Sequence, residues 1–119
     1  MRILVIDDEP PMLKVIQRLL SGEHEVLTAE SASDAFFLLA TFGGNLNVIL
    51  CDVHLPGMDG PQFLSRLSPL DASRVVFMTG GARYAGDEAF LAGRDVLYKP
   101  FDARQLVAII EAAANRTAA

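Results

Sequence analysis

The chain has 119 residues, of which 51% are hydrophobic and 21% are charged, a length and mixture typical of one globular domain. Its 15 acidic and 10 basic residues give a net charge of −5, which argues against a duplex DNA-binding surface. The single cysteine, Cys51, excludes an internal disulfide and any multi-cysteine metal site. Since no apolar run could span a bilayer and no signal peptide is recognisable, we expect one soluble cytoplasmic domain over residues 1–119.

Apolar, strand-like runs alternate along the chain with helical patterns. In chain order, the pattern predicts a strand at 3–6, a helix at 12–20, a strand at 25–29, a helix at 31–42, a strand at 48–51, a helix at 61–67, a strand at 75–78, a weak helix at 84–92, a strand at 96–98 and a helix at 102–113. Ser31 and the Asp102/Gln105 pair are expected to cap two of these helices. Asp59 is expected to cap a third helix rather than to bind a metal.

The alternation predicts an α/β fold with a doubly wound, five-stranded parallel sheet. The first, third and fourth strand-like runs are almost continuously apolar, which is typical of strands that are covered on both faces. In such sheets, ligands bind at the carboxyl ends of the strands. The residues that directly follow each predicted strand are therefore the candidates for function.

Acidic, hydroxyl and ammonium side chains follow four of the predicted strands. They are Asp7 and Asp8, then Asp52, then Thr79, and finally Lys99. Three crowded carboxylates cannot all remain ionised unaided, but a divalent cation together with Lys99 would balance their charge, and Mg²⁺ prefers oxygen ligands. Asp52 stands alone at the end of a central strand, which makes it the better candidate for a nucleophile that accepts a phosphoryl group.

The segments around these residues together resemble the receiver domain of two-component response regulators. The matching segments are VIDDEP at 5–10, CDVHLPGMDG at 51–60, FMTG at 77–80 and KPF at 99–101. They occur in the family's order and at its usual spacings along the whole chain. The last two segments are also similar to receivers at the C-terminus of hybrid histidine kinases.

The resemblance implies a flavodoxin-like (βα)5 fold with strand order 2-1-3-4-5, and a signalling switch rather than an enzyme. Asp52 would be phosphorylated by a histidine kinase or a histidine phosphotransfer protein and would lose the group slowly by itself. The output would pass through a downstream partner or a parent multidomain protein, without direct DNA binding. Dimerisation is left open.

The resemblance also implies a role for each residue around the phosphorylation site. The Mg²⁺ ligands would be Asp7, Asp8, Asp52 and the backbone carbonyl of His54. Thr79 and Lys99 would contact the phosphoryl oxygens, and the bond between Lys99 and Pro100 would be cis. If the His54 side chain faces Asp52, it would also influence how water reaches the acyl phosphate.

The chain departs from the family pattern near its last strand. Val96 stands where the family usually has a tyrosine or phenylalanine that moves inward after phosphorylation. Tyr98 lies on the same strand face as Val96, because side chains alternate along a strand, and which of the two serves the switch role is left open. Gly80, Gly81 and Gly86 make the preceding segment permissive, so we expect a short or partly ordered fourth helix that expresses the signal.

Three other functions share parts of this pattern. An Asp-nucleophile phosphatase of the haloacid-dehalogenase type would need a second Asp where His54 stands, and turnover of a small phosphoester would identify it. A flavin-binding module would need a phosphate-cradling loop in place of Asp7 and Asp8, and flavin absorbance would identify it. The third alternative is a structural receiver that is never phosphorylated, against which the complete set of site residues argues.

Overall fold

The structure is a computed structural model that describes residues 1–81 and 86–118. Its centre is a five-stranded sheet in which the strands have the order β2-β1-β3-β6-β7. The elements are, in chain order, β1 (Arg2–Ile6), α1 (Pro10–Leu20), β2 (Glu25–Ala29), α2 (Ala32–Phe42), β3 (Val48–Asp52), β4 (His54–Leu55), β5 (Met58–Asp59), α3 (Gly60–Ser65), α4 (Pro69–Ala72), β6 (Val75–Thr79), α5 (Asp87–Leu91), β7 (Val96–Tyr98) and α6 (Ala103–Ala118). The predicted fold class and the predicted order 2-1-3-4-5 of the five sheet strands are confirmed.

All pairs of neighbouring strands in this sheet are parallel, so their carboxyl ends meet at one edge. The register places Ile6 of β1 beside Cys51 of β3, so Asp7 and Asp52 leave the sheet side by side. On the other side of β3, Asp52 pairs with Met78, the residue before Thr79. The register thus brings the predicted site residues to one edge of the sheet.

Helices cover both faces of the sheet, and each face has its own apolar core. On one face, α1 and α6 contribute the buried residues Leu13, Ile16, Leu20, Leu106, Ile110 and Ala113. On the other face, α2, α3 and α5 contribute the buried residues Ala32, Ala35, Leu39, Phe63 and Leu91. The inner strand β1 is fully buried between the two cores from Ile3 to Ile6, which explains why its sequence is apolar without alternation.

The predicted caps are confirmed. The Ser31 side chain accepts a hydrogen bond from the Asp34 amide at the start of α2. Asp59 and Gln62 form a reciprocal capping box at the start of α3, in agreement with a capping role for Asp59. At the start of α6, the Asp102 carboxylate accepts from the amide of Gln105, whose own side chain accepts from the amide of Asp102.

The region between β3 and β6 differs from its prediction. A two-stranded antiparallel hairpin, β4–β5, begins at His54 and occupies most of the predicted loop at 55–60. The predicted helix at 61–67 is wrong in its extent, because α3 runs from Gly60 to Ser65 and a separate turn, α4, follows. Ser68 caps α4 through the Asp71 amide and Pro69 begins it, so the cap and the proline start a new helix where the apolar spacing suggested none.

The weak fourth helix is short, as predicted. The structure has α5 at Asp87–Leu91, whereas Tyr84 and Ala85 of the predicted range 84–92 lie outside the described residues. Gly86 and Gly93 bracket this helix with φ angles of 92° and 75°. Residues with a side chain rarely adopt this left-handed region, so the positions of the two glycines in the sequence mark where α5 begins and ends. Within the described part of the chain, no helix has both the length and the apolarity to cross a membrane.

Candidate functional site

Three carboxylates converge at the carboxyl edge of the sheet. Asp7, Asp8 and Asp52 each offer one oxygen, and these oxygens all lie within 4.8 Å of one another. Asp7 is fully buried, Asp8 is exposed and the Asp52 side chain is 12% exposed. The cluster forms because β1 and β3 are adjacent and end at the same level.

A backbone amide orients each of the two inner carboxylates. The amide of Glu9 donates to Oδ1 of Asp7 over 2.9 Å, and the amide of His54 donates to Oδ1 of Asp52 over 2.8 Å. In both cases the donor lies two residues after the aspartate. The turn that ends each strand therefore fixes the direction of its carboxylate.

Lys99 brings a positive charge between these carboxylates. Its Nζ lies 2.9 Å from Oδ2 of Asp7 and 2.8 Å from Oδ2 of Asp52. The backbone amide of Lys99 donates to the carbonyl of Thr79 over 2.8 Å, which holds the end of β7 against the end of β6. The Lys99–Pro100 peptide bond is cis, the geometry that the family resemblance implied.

Burial and charge shift the pKa values of Asp7 and Lys99. Burial raises the pKa of Asp7 above its ordinary value, and it outweighs the opposing hydrogen bonds from the Glu9 amide and Lys99. Burial alone would lower the pKa of Lys99, but its hydrogen bonds to Asp52 and Asp7 outweigh burial and raise that pKa. Asp7 is therefore costly to ionise, whereas Lys99 is held in its charged form.

The donor set of the cluster fits a small divalent cation. Three carboxylates face one ammonium, so the cluster keeps an excess of negative charge when all of its groups are ionised. All the available side-chain donors are oxygens, which are the ligands that Mg²⁺ takes. The side chains that could hold the ion are those of Asp7, Asp8 and Asp52. A role for the backbone carbonyl of His54 as a further ligand stays a prediction.

Thr79 lies at the end of β6, and only 3% of it is exposed. Its hydroxyl donates to the carbonyl of Gly81 over 2.9 Å and accepts from the Gly81 amide over 3.1 Å. The hydroxyl is therefore engaged with the start of the segment that leads to α5. Because a hydroxyl donates only one hydrogen bond, any new acceptor for it at the carboxylate edge would require the bond to the Gly81 carbonyl to break.

The side chain of His54 extends away from the sheet toward α5. Its ring Nε2 lies 3.0 Å from Oδ2 of Asp87, the first residue of α5. Sequence reasoning did not identify Asp87, because no local pattern links two residues that lie 33 positions apart. An influence of the His54 ring on water at Asp52 stays a prediction.

Val96 and Tyr98 share a strand face but differ in environment. Val96 is half-buried and packs against the core beneath α2, α3 and α5. Tyr98 is 59% exposed. Because Val96 has no ring and Tyr98 lies in solvent, the structure gives no buried aromatic at either of these two positions, and their role as a switch stays a prediction.

Cys51 precedes Asp52 but lies in the core. It is a free thiol, fully buried within β3. Burial, followed by the negative charges of Asp52 and Asp7, raises the pKa of this thiol above its ordinary value. The thiol therefore stays neutral and does not compete with the carboxylate as a nucleophile.

Comparisons with known proteins agree with this geometry. A family model described as "Response regulator receiver domain" matches residues 3–111. The chain belongs to this family. Among the relatives of this receiver domain is the "Transcriptional regulatory protein TcrA" of Mycobacterium tuberculosis, which is 34% identical over 119 residues. That match covers 97% of the chain but 46% of TcrA, so the receiver domain spans less than half of this relative.

Solved receiver structures have the same fold. A response regulator receiver domain protein from Clostridium thermocellum is 30% identical, with a TM-score of 0.82 over 98% of this chain and 96% of that one. The receiver domain of the hybrid histidine kinase CckA is 27% identical, with a TM-score of 0.74 over 96% of this chain and 99% of that one. The likeness therefore extends over the whole receiver fold and not only over the acidic edge.

Proposed function

We propose that this receiver domain, residues 1–119, is a phosphoacceptor switch in which Asp52 takes a phosphoryl group from a phosphohistidine. The observation that carries the proposal is that Asp52 is both oriented by hydrogen bonds and partly exposed. Its two oxygens are held by the His54 amide and by Lys99, yet its side chain remains accessible to solvent. Asp7 is oriented in the same way but is fully buried, which favours Asp52 as the group that a donor reaches.

The transfer is a displacement at phosphorus. A carboxylate oxygen of Asp52 forms a bond to phosphorus while the bond from phosphorus to the histidine nitrogen of the donor breaks, and the imidazole leaves with that electron pair. Lys99 is placed to balance the charge of the reacting oxygens, since its Nζ is 2.8 Å from Oδ2 of Asp52. When bound, Mg²⁺ would supply further charge neutralisation, with Asp7, Asp8, Asp52 and the His54 carbonyl as its ligands.

After transfer, Thr79 and Lys99 contact the phosphoryl oxygens. The acyl phosphate adds about one net negative charge to the edge of the sheet, together with new acceptor oxygens. These acceptors compete with the carbonyl of Gly81 for the Thr79 hydroxyl. Phosphorylation thereby shifts an existing equilibrium in which the Thr79 hydroxyl either donates to Gly81 or turns toward the carboxylate edge.

The proposed partners follow from the family and from the net negative charge of the chain. The donor is a histidine kinase or a histidine phosphotransfer protein, and the output is a downstream protein or another domain of a parent protein. The similarity to a named transcriptional regulator and to a hybrid kinase receiver supports a multidomain parent. We place the domain in the cytoplasm, in keeping with its free buried thiol, and we assign it no DNA contact because its net charge is −5.

Phosphorylation by a small acyl phosphate tests the proposal. We expect the chain to gain one phosphoryl group, measured by intact mass, when acetyl phosphate and Mg²⁺ are both present, and to gain none when Mg²⁺ is chelated. Asp52→Asn removes the nucleophile and should abolish the gain, whereas Asp34→Asn changes an exposed carboxylate of α2 and should leave it intact.

Each other outcome identifies an alternative. Undiminished phosphorylation of Asp52→Asn would assign the acceptor to another residue. A wild-type chain that is never phosphorylated would be a structural receiver. Sustained release of phosphate from a small phosphoester would instead identify a phosphatase with an Asp nucleophile.

A further inference from the structure

His54 contacts the phosphoacceptor and α5 at the same time. Its backbone amide donates to Oδ1 of Asp52 over 2.8 Å, and its ring Nε2 lies 3.0 Å from Oδ2 of Asp87. Because an ionised carboxylate only accepts hydrogen bonds, the ring N–H is the donor to Asp87. Both side chains of this second contact are largely buried, at 14% and 13% exposure, so solvent screens it less than a surface ion pair.

The contact holds the N-terminal end of a very short helix. α5 has five residues, and Gly86, in the left-handed region, precedes it. Its C-terminal half is held separately, since Leu91 is buried and the ring of Phe90 packs edge-on against Phe77 with 5.2 Å between centroids. Loss of the His54–Asp87 contact would therefore loosen the N-terminal end of α5 while its C-terminal half stays anchored.

We propose that His54 is a positioning residue that makes the placement of the α5 N-terminus depend on the state of Asp52. The inference rests on the proposed phosphorylation of Asp52. An acyl phosphate leaves Oδ1 without its negative charge, whichever oxygen carries the phosphorus. The bond from the His54 amide then changes from a charge-assisted one to a weaker neutral one, so the peptide that carries the imidazole ring is held less firmly.

This connection reaches α5 without passing through the last strand. Val96 occupies the position where an aromatic ring would couple Thr79 to β7, and Tyr98 is exposed. The route through His54 and Asp87 consists of two direct contacts, one from the His54 amide to Asp52 and one from the His54 ring to Asp87. His54 and Asp87 also line one cleft, together with Met58 and Phe90, so a displaced α5 changes the shape of the surface beside the phosphorylation site.

The contact is first tested in the unphosphorylated chain. We expect His54→Ala and Asp87→Ala each to lower the amide-exchange protection of residues 87–91 by about threefold relative to α6, an effect within the range for directly coupled residues. The double variant should fall by less than the two single effects combined, because both changes remove the contact between His54 and Asp87. His54→Gln keeps an N–H donor at similar reach and should restore part of the protection, whereas Glu88→Ala, on the exposed side of α5, should have no effect.

The coupling itself is tested with acetyl phosphate and Mg²⁺, at a phosphoryl occupancy measured by mass. Phosphorylation should shift the amide resonances of residues 87–91 in the wild type and in Glu88→Ala, and the shift should fall by about threefold in His54→Ala and in Asp87→Ala. Equal shifts in all four chains at matched occupancy would overturn this inference and leave the proposed function intact. A wild type that gains no phosphoryl group would overturn the proposed function instead.

Discussion

The strands that carry the carboxylates and the elements that follow Thr79 are built very differently. Residues Ile3 to Ile6 of β1 and Val48 to Cys51 of β3 are fully buried between two helical layers. By contrast, α5 has five residues of which one is buried, and β7 has three residues of which only the central Leu97 is buried. We call these the core strands (β1 and β3) and the α5–β7 region.

The difference separates where chemistry is performed from where a response can develop. A reacting carboxylate must be held in one geometry, and continuous burial of the core strands provides this. A responding segment must instead be able to change at little free-energy cost, which is typical of short elements with few buried apolar contacts. In this receiver domain, His54 contacts the first residue of α5 through its ring, and the carbonyl of Thr79 accepts from the amide of Lys99 at the end of β7. Both residues therefore lie between the two regions.

The largest expected effect is a difference in the loss of unfolding free energy between a variant of the core strands and a variant of α5. Leu50→Ala removes a fully buried side chain from β3 and should lower the free energy of unfolding by about 3 kcal/mol or more, since the surrounding layers cannot collapse into the space. Leu91→Ala, in the short α5, should cost about 2 kcal/mol or less, because α5 can shift to fill the gap. Urea unfolding of both variants measures the difference, and equal costs would contradict the proposed contrast.

The second effect concerns the ammonium group of Lys99, which contacts both Asp7 and Asp52. Lys99→Met leaves these two carboxylates without their shared ammonium and should cost about 2 kcal/mol at neutral pH in metal-free buffer. The loss should shrink in acid, where the carboxylates are protonated. Lys14→Met removes an exposed lysine from α1 and serves as the control. A Lys99→Met chain as stable as this control would contradict the structural role of the ion pair.

A smaller effect comes from the packing of α5 against α3. A Cβ at Gly60 would lie 3.0 Å from Cε2 of Phe90 and 3.2 Å from Cε1 of Phe77, so one ring must move. We expect Gly60→Ala to cost about 1 kcal/mol, because Phe90 belongs to the short helix and can give way. Gly22→Ala meets nothing within 4 Å and is the matched control. Amide resonances that shift in α5 but not in β6, the strand of Phe77, would locate the adjustment at Phe90, and shifts in β6 instead would contradict the expectation that the short helix gives way.

The smallest expected effect is a pH dependence of the unfolding free energy that comes from Asp7, the residue that follows the core strand β1. Burial raises the pKa of Asp7 above 3.8, so in metal-free buffer its contribution to stability is present in acid and is lost as pH rises through the raised value. Asp7→Asn removes this titration. The stability of Asp7→Asn minus that of the wild type should therefore increase with pH above about 4 and then level off. Urea unfolding across pH 4–7 tests the sign, and a difference that falls with pH would contradict it.

Much of the receiver fold was predictable because its signals are local. The apolar run at 48–51, the cap at Ser31 and the Asp102/Gln105 pair each depend on residues a few positions apart. The separate helix α4 was missed because a cap at Ser68 and a proline at position 69 start it, whereas four residues are too few for an apolar spacing to indicate a helix. The hairpin at His54–Asp59 was missed because two-residue strands leave no periodicity to detect.

The sequence by itself determined which polar residues follow each strand. Because the strands are parallel, the sheet then had to bring Asp7, Asp52 and Lys99 to one edge. The tertiary structure alone decided what each of these side chains contacts, such as the Thr79 hydroxyl on Gly81 and the His54 ring on Asp87. The reason is physical: strand and helix patterns depend on neighbours in sequence, whereas a side-chain contact depends on the path of two loops and on the burial that their packing creates.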